Sequence, residues 1–345
     1  MQKNRFLVFI TVVIAVCFVA GEVHAALPND PEVEQWAFKD IQAYDVWEKS
    51  LDASHVVVAI IDNGFDTFHP DLAGNVWKNL DEIPGNNIDD DKNGYVDDVW
   101  GWDFVGEGDN DPRPGVSKLT AEDKHLKIFH HGTVVAGIIG ARKNNKLAGA
   151  GIAPKIKLMN LRLLDENGNG GFDYLDDAIR YAVDNGAGVI NLSMVGNGTT
   201  HDLDQSIDYA YRNNVAVVAA AGNNSIFLNN SNRYPVCLDI DSTKQKVLGV
   251  SGIEESHRLA SFSTQGSNYG SDCIDIAAPG KNISSILRYA PRFGLKEVYG
   301  NGWDGTSFAA PFVSAAVALV KSIQPTWTVE ELYTHTRKVF NAAWK

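Results

Sequence analysis

"VVVAIID", Val56–Asp62, is six apolar residues ending in one carboxylate. Five of the six are β-branched, and none of them alternates with a polar residue. A run of this kind reads as a strand buried on both faces, as in a parallel sheet covered by helices. Such sheets bind their ligands outside the carboxyl ends of the strands. Asp62 is therefore expected at a functional rim.

Working outward, the chain alternates between the two periodicities. "GTVVAGIIGAR" follows His131 with the small-residue spacing of a closely packed helix. "KIKLMNLRLL" alternates as a strand. "FDYLDDAIRYAVDNG" is helical in period, with Gly186 as its stop signal. "AGVINLSM", "VAVVAAAGN" and "KVLGVSGI" read as strands, and "LDQSIDYAYRNN" as a helix. The apolar run after Ser307 is expected to be the last long helix, with a shorter one in "TVEELYTHTRKVF". Strands alternating with helices build βαβ units. The expected fold is α/β, a doubly wound, mostly parallel sheet with helices on both faces, in one domain over residues 26–345.

Five polar groups reach one rim of that sheet. Asp62, Ser193 and Asn223 each follow a strand, and His131 and Ser307 are each expected at a helix start. Ser307 lies in "GTSFAAP", Gly305–Pro311, where Thr306 and Ser307 could simply cap the helix. The other reading is a nucleophile at a helix N-terminus. Asp62, His131 and Asn223 decide between them, because acyl transfer by serine needs a base, an orienting carboxylate and an oxyanion donor. The G-x-S-x-G elbow of lipases and esterases is absent around Ser307. A secreted binding module that keeps the groove without chemistry has no need of these four groups together.

Composition narrows the class. The chain has 345 residues, 44% of them hydrophobic, and a net charge of −13. That charge excludes a basic nucleic-acid footprint and supplies carboxylates for a divalent cation. "MQKNR", the apolar "FLVFITVVIAVCFVAG" and "VHA" form a signal-peptide pattern with a cut expected after Ala25. The mature protein is then expected to be secreted, extracellular or periplasmic, off the membrane and monomeric. No other apolar run is expected to be long enough to span a bilayer. Cleavage removes Cys17, and the remaining Cys237 and Cys273 are expected to form a disulfide in an oxidising compartment.

The sequence resembles the subtilases, the subtilisin-like serine proteases, over nearly the whole mature chain. "AIIDNGFDTFHPDL", "HGTVVAGIIG", "VVAAAGNN" and "GTSFAAPFVSA" carry the resemblance. It implies a subtilisin-like three-layer fold and cleavage of protein or peptide substrates. Asp62, His131 and Ser307 would be the triad, and Asn223 the oxyanion donor. The substrate would pair as an added strand with Ser193, Met194, Val195 and Gly196 and with Ala220, Ala221 and Gly222. Gly168 and Gly170, in the segment 168–172, would form the opposite wall. Val195 stands where the family usually has glycine, which would narrow one pocket. No separate propeptide and a short C-terminus are expected.

One insertion adds a metal expectation. In "NNIDDDKNGYVDD", Asp89, Asp91, Asn93 and Gly94 have the spacing of the front half of an EF-hand loop. The Tyr95 carbonyl with Asp97 or Asp98 would complete a structural Ca2+ site, since the usual twelfth-position Glu is replaced by Trp100. Asp71 and Asn145 form a second candidate, suggested by the family resemblance.

Overall fold

The computed structural model describes residues 27–115, 127–165, 167–170 and 174–343. The expected signal segment lies outside them. Two short helices, α1 (Trp36–Asp40) and α2 (Ala43–Glu48), precede β1 (Val57–Asp62). Then come β2 (Gly101–Asp103), α3 (Lys127–Gly140), β3 (Lys157–Arg162), α4 (Leu175–Asp184) and β4 (Val189–Leu192). They are followed by α5 (His201–Arg212), β5 (Ala216–Ala220), β6 (Val247–Ile253), β7 (Ser261–Phe262), β8 (Gln265–Gly266) and β9 (Ile276–Pro279). The chain ends in β10 (Ile283–Ile286), β11 (Tyr299–Trp303), α6 (Thr306–Ile323) and α7 (Val329–Ala343).

The main sheet has seven strands in the order β2-β3-β1-β4-β5-β6-β9, all parallel. β1 sits inside it, with Asp62 in register with Arg162. Its alternate side chains go to opposite layers. Val58 and Ile60 pack with α3 and α6, while Ala59 and Ile61 pack with α4 and α5. This is why the run carries no polar alternation: both faces are dry. α5 is capped by Thr200, whose Oγ1 accepts 3.1 Å from the Leu203 N–H. α4 ends before Gly186, which takes φ +80°.

α6 is the central helix of one layer. Twelve of its residues are buried. By length and composition alone it could cross a membrane, although only the N-terminal run was expected to be long enough. Cys237 and Cys273 are both buried and stand at disulfide distance, Cα–Cα 4.8 Å. α3 is described from Lys127, so His131 lies beyond a first turn and not at the helix start.

Candidate active site

Three elements bring the rim together. β1 delivers Asp62, fully buried, at its carboxyl end. α3 delivers His131, whose Nδ1 lies 2.8 Å from Asp62 Oδ1 and 3.0 Å from Oδ2. The carboxylate also accepts 2.7 Å from the Asn63 N–H. Asn63 locks the two elements: its Oδ1 accepts from the Gly132 N–H at 2.8 Å, and its amide donates to the Ile128 carbonyl. A Cβ on Gly132 would clash with the Gly64 carbonyl oxygen, so only glycine lets α3 come this close. Nothing in the sequence marks Asn63 for this task, although it follows Asp62 directly.

α6 delivers Ser307 as its second residue. The capping reading of "GTSFAAP" does not hold, because Gly305 is the N-cap and neither Thr306 nor Ser307 caps the helix with its side chain. Thr306 instead faces Asn223. Asn223 Oδ1 accepts from the Thr306 N–H at 2.9 Å and from Thr306 Oγ1 at 3.0 Å. Thr306 Oγ1 in turn accepts 2.9 Å from the Gly222 N–H. With the oxygen end fixed, Asn223 Nδ2 is the end left to donate. The Ser307 N–H belongs to the first turn of α6, where amides lack an intrahelical acceptor. Thr306 is a second residue whose role the sequence alone does not reveal.

These groups open on one cleft of about 610 Å3. His131, Ser307, Asn223, Ser193, Met194, Val195, Ala220, Gly222, Gly168 and Gly170 all line it, with Ile128, Leu163 and Leu164. Gly222 has φ +96°, and Val195 Cγ2 lies 3.0 Å from where its Cβ would stand. Val195 therefore packs directly against Gly222 in the cleft lining. Two residues expected on the substrate strands lie outside the lining. Gly196 exchanges both its backbone bonds with Tyr234, at 2.8 and 3.1 Å. Ala221 is fully buried, its N–H on Val250 and its carbonyl taken by Asn268. Residues 171 and 172 of the expected opposite wall are outside the described residues.

The electrostatics follow from burial. Desolvation pulls the His131 pKa down, but the Asp62 charge and hydrogen bond outweigh it and hold it above the usual 6.5. Ser307 Oγ donates 2.9 Å to the Ser193 carbonyl. It must turn from that oxygen to Nε2 of His131 before the imidazole can take its proton. The arrangement can then generate an alkoxide-like nucleophile beside two N–H donors, Asn223 Nδ2 and the Ser307 amide.

The candidate cation sites divide differently from expectation. In the acidic loop, Asp97 is taken up by the N–H groups of Gly85, Asn86 and Asn87, and Asp89 by those of Asn93 and Gly94. The Tyr95 ring packs against Trp102, Phe104 and Tyr181. What converges is Asp91 and Asp98 with Glu82, a residue outside the expected set, each offering an oxygen within 4.8 Å of the others. Asn79 and Asn93 donate into the same group. At the second site, Asn145 Nδ2 donates 2.6 Å to Asp71 Oδ1, while Asp71 Oδ2 is buried without a partner among the described residues. Burial, with the charge of Asp30 adding, pushes the Asp71 carboxyl up to about 7. Asn145 Oδ1 accepts from the Leu147 N–H, so Asp71 Oδ2 is the carboxylate oxygen left there for a hard cation. The convergence of Asp91, Asp98 and Glu82 fits calcium, and Asp71 adds one buried unpartnered oxygen at the second point.

Comparison with known proteins gives the same outline. The family model described as "Subtilase family" matches residues 53–342. The chain is 34% identical over 297 residues to the thermophilic serine proteinase of Bacillus sp. (strain AK1), covering 86% of this chain and 60% of that one. It is 33% identical over 297 residues to thermitase of Thermoactinomyces vulgaris, covering 86% and 85%. Among solved structures it is similar to a protease from Pseudoalteromonas arctica, with TM-score 0.66, 27% identity, and coverage of 89% and 90%.

Proposed function

This chain belongs to the subtilase family, and from that premise we propose that it is a serine endopeptidase acting on protein or peptide substrates, with Asp62, His131, Ser307 and Asn223 as its chemistry. The observation that supports this most is the pairing of His131 with a wholly buried Asp62 on the same cleft as Ser307 and Asn223. Ser307 Oγ attacks the scissile carbonyl, and His131 Nε2 takes its proton and passes it to the leaving amine. Asp62 holds Nδ1–H and stabilises the imidazolium. Asn223 Nδ2 and the Ser307 N–H receive the oxyanion. The extended edge at Ser193–Val195 receives the peptide, with Ala220 and Gly222 lining the cleft opposite. The direct test is labelling by a fluorophosphonate probe, which requires an activated serine. Wild type should label and Ser307→Ala should not; equal labelling of both would end this reading.

A pH profile checks His131 independently. The base must be neutral, and Asp62 stabilises its protonated form. The acid limb of kcat/KM is therefore expected above the ordinary imidazole pKa of 6.5, falling about tenfold per pH unit below it. An acid limb in the carboxylate range would assign the base elsewhere.

We further propose that the protein is secreted, works as a single copy and is stabilised by calcium at Asp71 with Asn145, and at Asp91 and Asp98 with Glu82. A cation held only by the folded state at about 100-fold saturation contributes roughly 2.7 kcal/mol. Thermal melts in excess calcium and in EGTA should differ by several degrees, and Asp71→Asn should shrink the gap. The pH sign is also fixed. Without a cation the folded Asp71 carboxyl is raised to about 7, so its stability is present below its unfolded pKa and lost as pH rises through the folded one. In EGTA the melting temperature should fall over that window, and calcium should restore it. Identical melts in the two buffers across the window would remove the ion from the account.

A further inference from the structure

Ser307 stands four residues before Pro311, which lies inside α6. In a helix the Ser307 carbonyl would accept from the N–H of residue 311, and proline has none. That carbonyl is the backbone of the nucleophile itself, and it is not left empty. Ser193 Oγ donates to it at 2.8 Å.

Ser193 is not alone. Asn191 Nδ2 donates 2.9 Å to Ser193 Oγ, and Ser314 Oγ donates 2.8 Å to Asn191 Oδ1. The donors run one way, from Ser314 through Asn191 and Ser193 to the Ser307 carbonyl. Asn191 and Ser314 are fully buried, and neither lines the cleft. Strand alternation puts Asn191 and Ser193 on the same side of β4 as Val189, which packs in the layer of α6. Ser314 lies seven residues after Ser307, two turns along the same face of the helix. The rest of that face is apolar, with Ala310, Val313, Ala318 and Val317 buried around it. Placing an amide and a hydroxyl there costs desolvation that alanine would avoid. The network recovers it only by tying α6 to β4 at two heights.

We propose that Asn191 and Ser314 are positioning residues: through Ser193 they hold the Ser307 peptide in the place that the Pro311 gap would otherwise leave loose. The Ser193 bond fixes the peptide plane between Ser307 and Phe308 and, through it, the Ser307 Cα, which carries the Ser307 N–H on its other side and from which Oγ swings between the Ser193 carbonyl and His131. The inference rests on the endopeptidase reading. A solely structural network would serve stability and leave turnover per folded molecule alone.

The test is Ser314→Val against Ser314→Thr, whose new side chains share a shape and differ in the hydroxyl, with Ser314→Ala as the smaller substitution that spares packing. Kinetics on a peptide substrate are measured below each variant's melting temperature, per folded protein. Ser314→Val and Ser314→Ala should lose about tenfold in kcat, the scale of a small misplacement of reacting groups, with KM within about twofold. Ser314→Thr should keep wild-type kcat. Full kcat in Ser314→Ala, a loss confined to KM, or a Ser314→Thr as slow as Ser314→Val would each overturn the positioning role. Fluorophosphonate labelling of wild type separates the two levels: a labelled wild type with an unaffected Ser314→Ala removes the positioning role alone, and an unlabelled wild type removes the endopeptidase reading and this inference with it.

Discussion

Ser307→Ala is expected to abolish peptide cleavage, by about 10⁶-fold in kcat, the scale found for loss of the nucleophile of a serine triad. The Ser307 hydroxyl is the group from which the acyl bond forms, and no neighbouring side chain can take its place in the chemistry described. What remains would be water acting beside two oxyanion donors, which keeps a trace of rate above the uncatalysed reaction. Stability should change little. Ser307 Oγ makes one bond, to the Ser193 carbonyl, and the fold-bearing bond at this point is the reverse one, from Ser193 Oγ to the Ser307 carbonyl, which alanine keeps. A melt within a few degrees of wild type with no turnover is the expected pair of results. Turnover comparable with wild type would mean that the chemistry is elsewhere.

Asn223→Ala is expected to lower kcat by about 10²–10³-fold with little change in KM. The charge that its amide serves exists only in the transition state, so the loss falls on the chemical step. The other end of the side chain has a structural task. Asn223 Oδ1 accepts two bonds from Thr306, so alanine should also cost about 1–3 kcal/mol of stability through unpaired donors. Kinetics and melts together separate the two ends. A variant that loses stability and KM but keeps kcat would place Asn223 among the binding residues and take it out of the oxyanion site.

The insertion between β1 and α3 shows how far spacing alone carries. The alternation of Asp89, Asp91 and Asn93 is visible in the chain, and Asp91 and Asp98 do converge. The third carboxylate comes from Glu82, ahead of the pattern, and Asp97 is spent on three backbone amides. Glu82 also accepts from three backbone amides, those of Asp90, Asp91 and Asp97, so which carboxylates also face the common centre follows from the local path of the backbone, which sequence spacing does not encode.

Local chemistry settled the sheet and the identity of the rim. The unbroken, β-branched apolar run at Val56–Ile61 reads as a strand covered on both faces, and alternation with helical periods points to a parallel sheet. Polar residues that end such strands must then face one edge, which picks out Asp62, Ser193 and Asn223 before any coordinates are known. The tertiary structure decided what those residues touch. Thr306 orients Asn223, Asn63 and a bare Gly132 let α3 meet β1, Gly196 is taken by Tyr234, and Asn191 reaches Ser314. Each of these contacts joins segments far apart in the chain, whose approach depends on packing. Hydrogen bonds of a few ångströms depend on helix placement to within fractions of an ångström. That placement is set by the whole packed core at once, which no single stretch of sequence contains.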